Sequence, residues 1–187
     1  MNQMSILKNK RVLILSCCAP CSIETMTLLK ENDIEFSILF YNPNIFPDTE
    51  YQKRLSENKR ICQILAIPFY EIFDDHQVYL NEIKGLENEP EQGKRCTKCF
   101  AFRLKKAFEF AKENNFDLVT SVLGVSRFKN QNQVNIAAFS VINDIPYFDY
   151  NWKEILNPER KKELIKKYDI YNQNYCGCEF SKQFKEK

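Results

Sequence analysis

Short runs of uninterrupted apolar residues alternate along this chain with longer stretches whose apolar residues return every three or four positions. The run Val12-Leu13-Ile14-Leu15, inside Arg11 to Ser16, predicts a first strand buried on both faces. From about Ser22 to Glu31, Ile23, Met26 and Leu29 form one helical stripe, with Pro20 near its start. A second strand is expected over Glu35 to Tyr41. Asn42-Pro43-Asn44 and Pro47 then break the chain, and Asp48 reads as the N-cap of a long helix with Tyr51, Leu55, Ile61, Cys62 and Leu65 on one face. A third strand over Ile67 to Phe73 is followed by a polar, breaker-rich loop from Gly85 to Gly93.

That loop leads into a helix whose buried stripe is Phe100, Leu104, Ala107, Phe108 and Ala111. A fourth strand over Phe116 to Leu123, a helix from about Asn130 to Asn143 and a fifth strand over Ile145 to Tyr150 complete the alternation, and a Lys-rich helix is expected over Pro158 to Tyr168. Strands alternating with helices predict an α/β fold with a parallel sheet flanked by helices. The 187 residues suit one domain, with 151–187 as a C-terminal extension folded back over the site.

Cysteine placement adds the chemistry. Seven of the eight cysteines fall into three groups, Cys17-Cys18-Ala19-Pro20-Cys21, Cys96-Thr97-Lys98-Cys99 and Cys176-Gly177-Cys178; only Cys62 stands alone, on the apolar face of its helix. The first group lies at the carboxyl end of the first strand, where open α/β sheets gather ligands, and before a helix whose positive end favours thiolates. Cys96 and Cys99 are spaced to project from one side of a helix.

Net charge is only +2 and the sequence pI is near 8.0, so composition alone calls for no polyanionic partner. Locally, Lys53/Arg54/Lys59/Arg60, Arg103/Lys105/Lys106 and Lys161/Lys162/Lys166/Lys167 form basic runs among many aromatics; each alone reads as a solvated helix face. No run approaches the ~20 apolar residues of a membrane helix, and the run before Cys17 is too short for an export signal, so a cytoplasmic location with reduced thiols is expected.

Reduced, grouped thiols leave several chemistries open. Cys18–Cys21 and Cys96–Cys99 are two CxxC pairs, as a structural zinc uses, which with the basic runs leaves open a zinc-stabilised RNA-binding module without catalysis; the one histidine, His76, reads as a surface or satisfied loop residue. An iron-sulfur cluster would draw four thiolates from both segments and give Cys176 and Cys178 a purpose as an electron relay. Cys18-Ala19-Pro20-Cys21 between strand and helix also matches a thioredoxin-like thiol-disulfide oxidoreductase, although that fold needs neither the second CxxC nor the CxC. A nucleotide-binding enzyme of the ATP pyrophosphatase type shares the layout. It would need a glycine-rich phosphate loop, whereas Ser16 to Ser22 has no glycine and includes Pro20.

Cys17-Cys18-Ala19-Pro20-Cys21-Ser22, Tyr41-Asn42-Pro43-Asn44-Ile45 with Pro47, Glu50-Tyr51 and Arg54, Gly85-Leu86-Glu87 through Arg95-Cys96 and Cys99-Phe100, and Tyr175-Cys176-Gly177-Cys178 with Phe180-Ser181 together resemble the QueH-type epoxyqueuosine reductases. The resemblance covers nearly the whole chain. It implies a HUP-like, Rossmann-related fold and an enzyme that performs the last step of queuosine synthesis on tRNA, reducing the cyclopentane epoxide at the wobble position of the anticodon loop to the alkene without cobalamin. By position it implies Cys17, Cys18, Cys96 and Cys99 as ligands of a [4Fe-4S] cluster, Cys21 as a place for an additional iron ion, and Cys176 and Cys178 as a redox-active pair fed by an unidentified electron donor. A CxC disulfide closes a very small ring, which suits a labile, catalytic pair. Where family members often carry Ser-Pro-x-Lys, this chain reads Ser126-Arg127-Phe128-Lys129; Arg127 and Lys129 there would still suit phosphate contacts. The segment Asn157 to Arg160 matches no family motif. Asp149, Tyr41 and Glu87 are candidate proton donors, each with an ordinary structural role as alternative.

Overall fold

The computed structural model describes residues 3–141 and 144–183. Four strands, β1 (Val12–Ser16), β2 (Phe36–Phe40), β3 (Phe69–Glu71) and β4 (Leu118–Ser121), form one parallel sheet in the order β3-β2-β1-β4. The helices are α1 (Ala19–Glu31), α2 (Asp48–Ile64), α3 (His76–Glu82), α4 (Lys94–Glu113), α5 (Gln131–Phe139), α6 (Trp152–Ile155), α7 (Pro158–Lys167) and α8 (Glu179–Gln183), with 3-10 turns at Gln3–Leu7 and Leu123–Val125. β1 lies in the middle of the sheet, and every residue of VLILS is buried, as its uninterrupted apolar run requires. The parallel α/β sheet flanked by helices is the expected architecture, and the chain order reverses direction across β1, between β2 and β4. In such sheets that reversal opens a crevice at the carboxyl ends of the strands.

The stripe expected of α4 is buried in full: Phe100, Leu104, Ala107, Phe108 and Ala111 all lie in the core. Cys62 is buried too, its sulfur 4.0 Å from Met26 Sδ, and burial pushes its thiol up to about 12. It is a core residue, as its helix face predicts.

Four expectations change. Ile145 to Tyr150 is not a strand: only Tyr147 pairs with β4, through Val119, because Pro146 has no N–H to extend a ladder. Asp48 opens α2 and does not cap it. Pro47 holds the N-cap position, and the Asp48 carboxylate still sits in the first turn, where the helix dipole favours it. The helix after β4 ends at Phe139, and its expected end, Asn143, lies outside the described residues. Finally, α3 was not expected; Asp75 caps it by accepting from the Gln77 N–H at 2.7 Å.

Candidate active site

The first cysteine group grows directly out of the sheet. Cys17 follows the last residue of β1, Cys18 occupies the N-cap of α1, and Cys21 lies in its first turn. Ser16 fixes this loop: its Oγ meets Ser22 Oγ at 2.6 Å and donates to Asn58 Oδ1 at 2.8 Å, while its carbonyl accepts from Asn42 Nδ2 at 2.9 Å. The three thiols form a line of hydrogen bonds, Cys17 to Cys18 and Cys18 to Cys21. Cys18 and burial together push Cys17 up to about 12. At the accepting end, the bond from Cys18 brings Cys21 down to about 7 against its burial, helped by Lys161 and Lys129.

The second group comes from the first turns of α4. Cys96 accepts from the Gln92 N–H at 3.3 Å, and Cys99 is buried one turn on, its thiol pushed up by burial against the pull of Arg103. The third group is carried by a strap, residues 171–183, that runs back across the carboxyl ends of the strands. Several bonds fasten it. Phe46 N–H donates to the Gly177 carbonyl at 2.9 Å, and the Tyr175 hydroxyl to the Phe46 carbonyl at 3.0 Å. The Tyr171 hydroxyl donates to Glu50 at 2.8 Å, Ser181 to Glu91 at 2.5 Å, and Glu179 meets His76 at 2.9 Å. Cys178 is buried against the Tyr79 hydroxyl, 3.2 Å away, and burial pushes its thiol up to about 11. His76 is thus a satisfied residue, its other ring nitrogen 2.6 Å from the Pro43 carbonyl, and its work is to hold the strap.

Four buried cations stand among these thiols: Arg54 is 1 %, Arg95 1 %, Arg103 0 % and Lys129 5 % exposed, and Arg95 is the one that acts on Cys96 and Cys178. Arg54 is paired with Glu50 at 2.7 Å; its guanidinium also reaches Cys17 Sγ at 3.8 Å and donates to the carbonyls of Cys176 (2.9 Å) and Tyr175 (3.3 Å). Lys129 Nζ lies 3.8 Å from Cys17 Sγ. Arg103 donates to the Tyr41 carbonyl and to Asn42 Oδ1 and lies beside the Cys99 thiol, while among the described residues its Nη1 is buried without a geometric hydrogen bond. Burial would lower both Lys129 and Arg103, but the thiols outweigh it and hold them above their ordinary values: Cys17, Cys176, Cys18 and Cys21 for Lys129, and Cys17, Cys99 and Cys176 for Arg103. Among the described residues neither cation has a carboxylate in a salt bridge. A buried charge costs several kcal/mol unless it is compensated, so Lys129 and Arg103 pull Cys17, and Arg103 pulls Cys99, toward the thiolate, against the Cys18 contact and the burial that push these thiols up.

The seven grouped cysteines therefore stand beside buried cations, Cys96 and Cys178 beside Arg95 and the other five beside Arg54, Arg103 or Lys129, although they come from three distant segments. No disulfide joins them, and among the described residues no three acidic, histidine or cysteine side chains already form a closed metal shell. The donor chemistry nonetheless fits a thiolate-bound metal cluster, whose net negative charge is what Lys129 and Arg103 lack. Of the candidate proton donors none stands among the thiols. Tyr41 donates to Asp74 at 2.7 Å, and burial plus that carboxylate push its phenol far up; Glu87 is exposed and caps its own loop through the Gly85 N–H; Asp149 is exposed beside Pro146 and Tyr150. The phosphate role expected of Lys129 also fails, because Lys129 is buried and faces sulfur, while Arg127 remains on the surface.

With this geometry in view, the comparisons with known proteins are specific. The family model described as Epoxyqueuosine reductase QueH matches residues 12–184, so the match spans the first cysteine group and the strap alike. The chain belongs to the QueH family. Proteins named epoxyqueuosine reductase QueH are 44 % identical to it over 176 residues in Histophilus somni (92 % of this chain, 72 % of that protein) and 45 % over 174 residues in Acinetobacter baylyi (91 % and 80 %). The Thermotoga maritima member is 29 % identical over 175 residues, covering 91 % of this chain and 89 % of its own length. Among solved structures the fold is similar to that of the U34-tRNA thiolase NcsA from Methanococcus maripaludis with its [4Fe-4S] cluster, at a TM-score of 0.58 and 15 % identity. That match covers 95 % of this chain and 63 % of the thiolase. NMN synthetase from Francisella tularensis matches at a TM-score of 0.52 and 15 % identity, over 93 % of this chain and 69 % of that one. These likenesses bear out the HUP-like, Rossmann-related expectation for the fold.

In this QueH member, sequence reasoning missed the buried roles of Arg103, Lys129 and Tyr79. Arg103 did carry a signal, since it follows Cys99 by four residues and so shares its helix face. Gly177, between the two strap cysteines, has φ +107°, and a Cβ there would stand 2.7 Å from Arg54 Nη1. Gly177→Ala is therefore expected to cost about 1–3 kcal/mol locally. Limited proteolysis should cut the strap faster in the variant, with the far-ultraviolet circular dichroism of the sheet and helices unchanged; equal cutting rates would show that the strap tolerates the side chain.

Proposed function

We propose that this chain reduces the epoxide of epoxyqueuosine at the wobble position of tRNA, giving queuosine, in the cytoplasm and without cobalamin. The observation that carries this is the pair of buried cations, Lys129 and Arg103, that face the thiols with no carboxylate among the described residues to neutralise them. Cys17, Cys18, Cys96 and Cys99 are the side chains that would hold a [4Fe-4S] cluster, and Cys21 is the one that would hold an additional iron ion. When bound, such a cluster supplies electrons singly, and an open iron position polarises a C–O bond. Family membership supports the substrate, since the relatives are named for this reaction.

The remaining roles belong to the chain. Removing the epoxide oxygen as water takes two electrons and two protons, and oxidation of the Cys176/Cys178 dithiol to a disulfide releases two of each. An external dithiol or another electron donor then restores the pair. Arg54 sets where this happens, because it holds the Cys176 carbonyl and the Cys17 sulfur at once. Lys129 and Arg103 keep negative charge on sulfur, and the strap limits the access of water.

The test is a protein purified without oxygen and incubated with epoxyqueuosine-containing tRNA and a dithiol reductant. Brown colour, iron matched by acid-labile sulfide, and queuosine in the digested tRNA are expected. One zinc per chain in a colourless protein, with no conversion, would make the cysteines a structural centre; conversion by a metal-free protein would leave a dithiol enzyme.

A further inference from the structure

A cavity of about 320 Å³ opens beside Cys21. Its floor is Pro20 and Cys21; one wall is Val125 to Phe128, which follows β4, and the other is the α7 face carrying Pro158, Lys161, Lys162 and Ile165. Asn172 and Gln173, at the start of the strap, close one edge. The volume lies at the low end of small-ligand pockets, about 300–1,000 Å³, which suits one nucleobase with a substituent.

Three features give this cavity a chemistry. Among the described residues no aspartate or glutamate lines it, whereas Arg127, Lys161 and Lys162 do. The carboxylates near these cations compete weakly: Glu159 pairs with Lys162 at 2.8 Å, but both are mostly exposed, and Glu24 acts on Lys161 while its Oε1 accepts from the Asn157 N–H. The Arg127 guanidinium lies 4.8 Å from the centre of the Phe128 ring, a cation–aromatic platform of the kind on which single-stranded bases stack. Among the described residues Gln173 Oε1 is buried without a hydrogen-bond partner, an acceptor suited to the N–H edge of a base. The other two large cavities of the site face lack this set. The one lined by Tyr41 and Phe102 mixes its lysines with Asp74, Glu82 and Glu109, and the one by Phe46 and Phe73 carries Asp48, Asp74 and Asp75, which would repel phosphate.

We propose that the wobble nucleotide of a single-stranded anticodon loop seats in this cavity, its base on the Arg127–Phe128 platform and against Gln173, its flanking phosphates on Lys161 and Lys162, and its epoxide-bearing arm directed to Cys21. This deepens the reductase function proposed above and rests on it. It also relocates the RNA contact from Lys129, which is buried among the thiols, to the α7 lysines.

The test measures binding of an anticodon stem-loop RNA with guanosine at the wobble position to the full chain purified without oxygen, by fluorescence anisotropy across a salt titration. Lys161→Ala with Lys162→Ala should weaken binding tenfold or more and flatten the slope of log K against log salt by about 1.4, two contacts at about 0.7 each. Phe128→Ala should weaken it about tenfold and leave the slope unchanged. Lys105→Ala with Lys106→Ala, on the acidic cavity, should do neither. Since a variant can lose its fold, the unmutated protein is also cross-linked to the same RNA carrying photoreactive 6-thioguanosine at the wobble position, and the label should map to residues 125–128 or 158–173. Unchanged affinity and slope in both cavity variants, or a label mapped elsewhere, would overturn the seat while epoxide reduction by the unmutated protein keeps the reductase function. An unmutated protein that neither binds the stem-loop nor reduces epoxyqueuosine would overturn both.

Discussion

Cys17→Ser, Cys18→Ser, Cys96→Ser and Cys99→Ser are each expected to strip most of the iron and sulfide from the protein and to lower its melting temperature. The second effect follows from the cations. Among the described residues Arg103 and Lys129 are buried with no carboxylate in a salt bridge, so removing a thiolate that would help to hold a cluster's negative charge is expected to leave them uncompensated. Breaking a buried charge pair in this way costs about 3–5 kcal/mol, well above the effect of an isosteric Cys→Ser change at the surface. Iron and acid-labile sulfide assays on protein handled without oxygen, with melting curves beside them, check both halves. Full iron in Cys96→Ser and in Cys99→Ser would take that pair off the ligand list. Full iron loss with no change in melting would instead mean that Arg103 and Lys129 are neutralised by something other than a metal-bound thiolate.

The strap variants should behave in the opposite way. Cys176→Ser and Cys178→Ser are expected to keep the iron and the visible absorption while turnover with a dithiol reductant falls by about a thousandfold or more, because the chain then has no two-electron, two-proton store. Tyr79 and Arg54 hold this segment by its sulfur and its carbonyl, respectively, so a serine hydroxyl can occupy the same place without dislodging the strap. Loss of the cluster in either variant would move that cysteine into the metal shell. Tyr79→Phe offers a graded version: removing the hydroxyl 3.2 Å from Cys178 should slow turnover less than loss of the thiol does.

The sheet and the cysteine groups could be read from the chain because both depend on neighbours in sequence. Val12 to Leu15 announces a buried central strand by its composition alone, and Cys96 with Cys99 announces one helix side by spacing. The return of the strap over the site was also expected, from a CxC too purposeful for a loose tail. What could not be read is burial that depends on remote partners. Arg54, Arg103 and Lys129 look like surface charges, as most arginines and lysines are; Arg54 meets Cys17 across 37 residues and Lys129 meets it across 112. α3 stayed hidden because seven residues are too few to show a stripe, and it is the element that supplies Tyr79. The lost fifth strand has the reverse cause: the apolar pattern was present, but Pro146 removes a donor that pattern analysis does not count.

The strap has a further consequence in time. Among the described residues, 171–183 come last in chain order, and a chain emerging from the ribosome folds from its N-terminal side first. The sheet, the first cysteine loop and the start of α4 can therefore assemble while the segment that will cover them is still inside the exit tunnel. During that interval Cys17, Cys18, Cys96 and Cys99 are open to whatever delivers metal, and Arg54 has only Glu50 and Cys17 as partners. Arrival of Tyr175 and Cys176 supplies the missing carbonyls and closes the site.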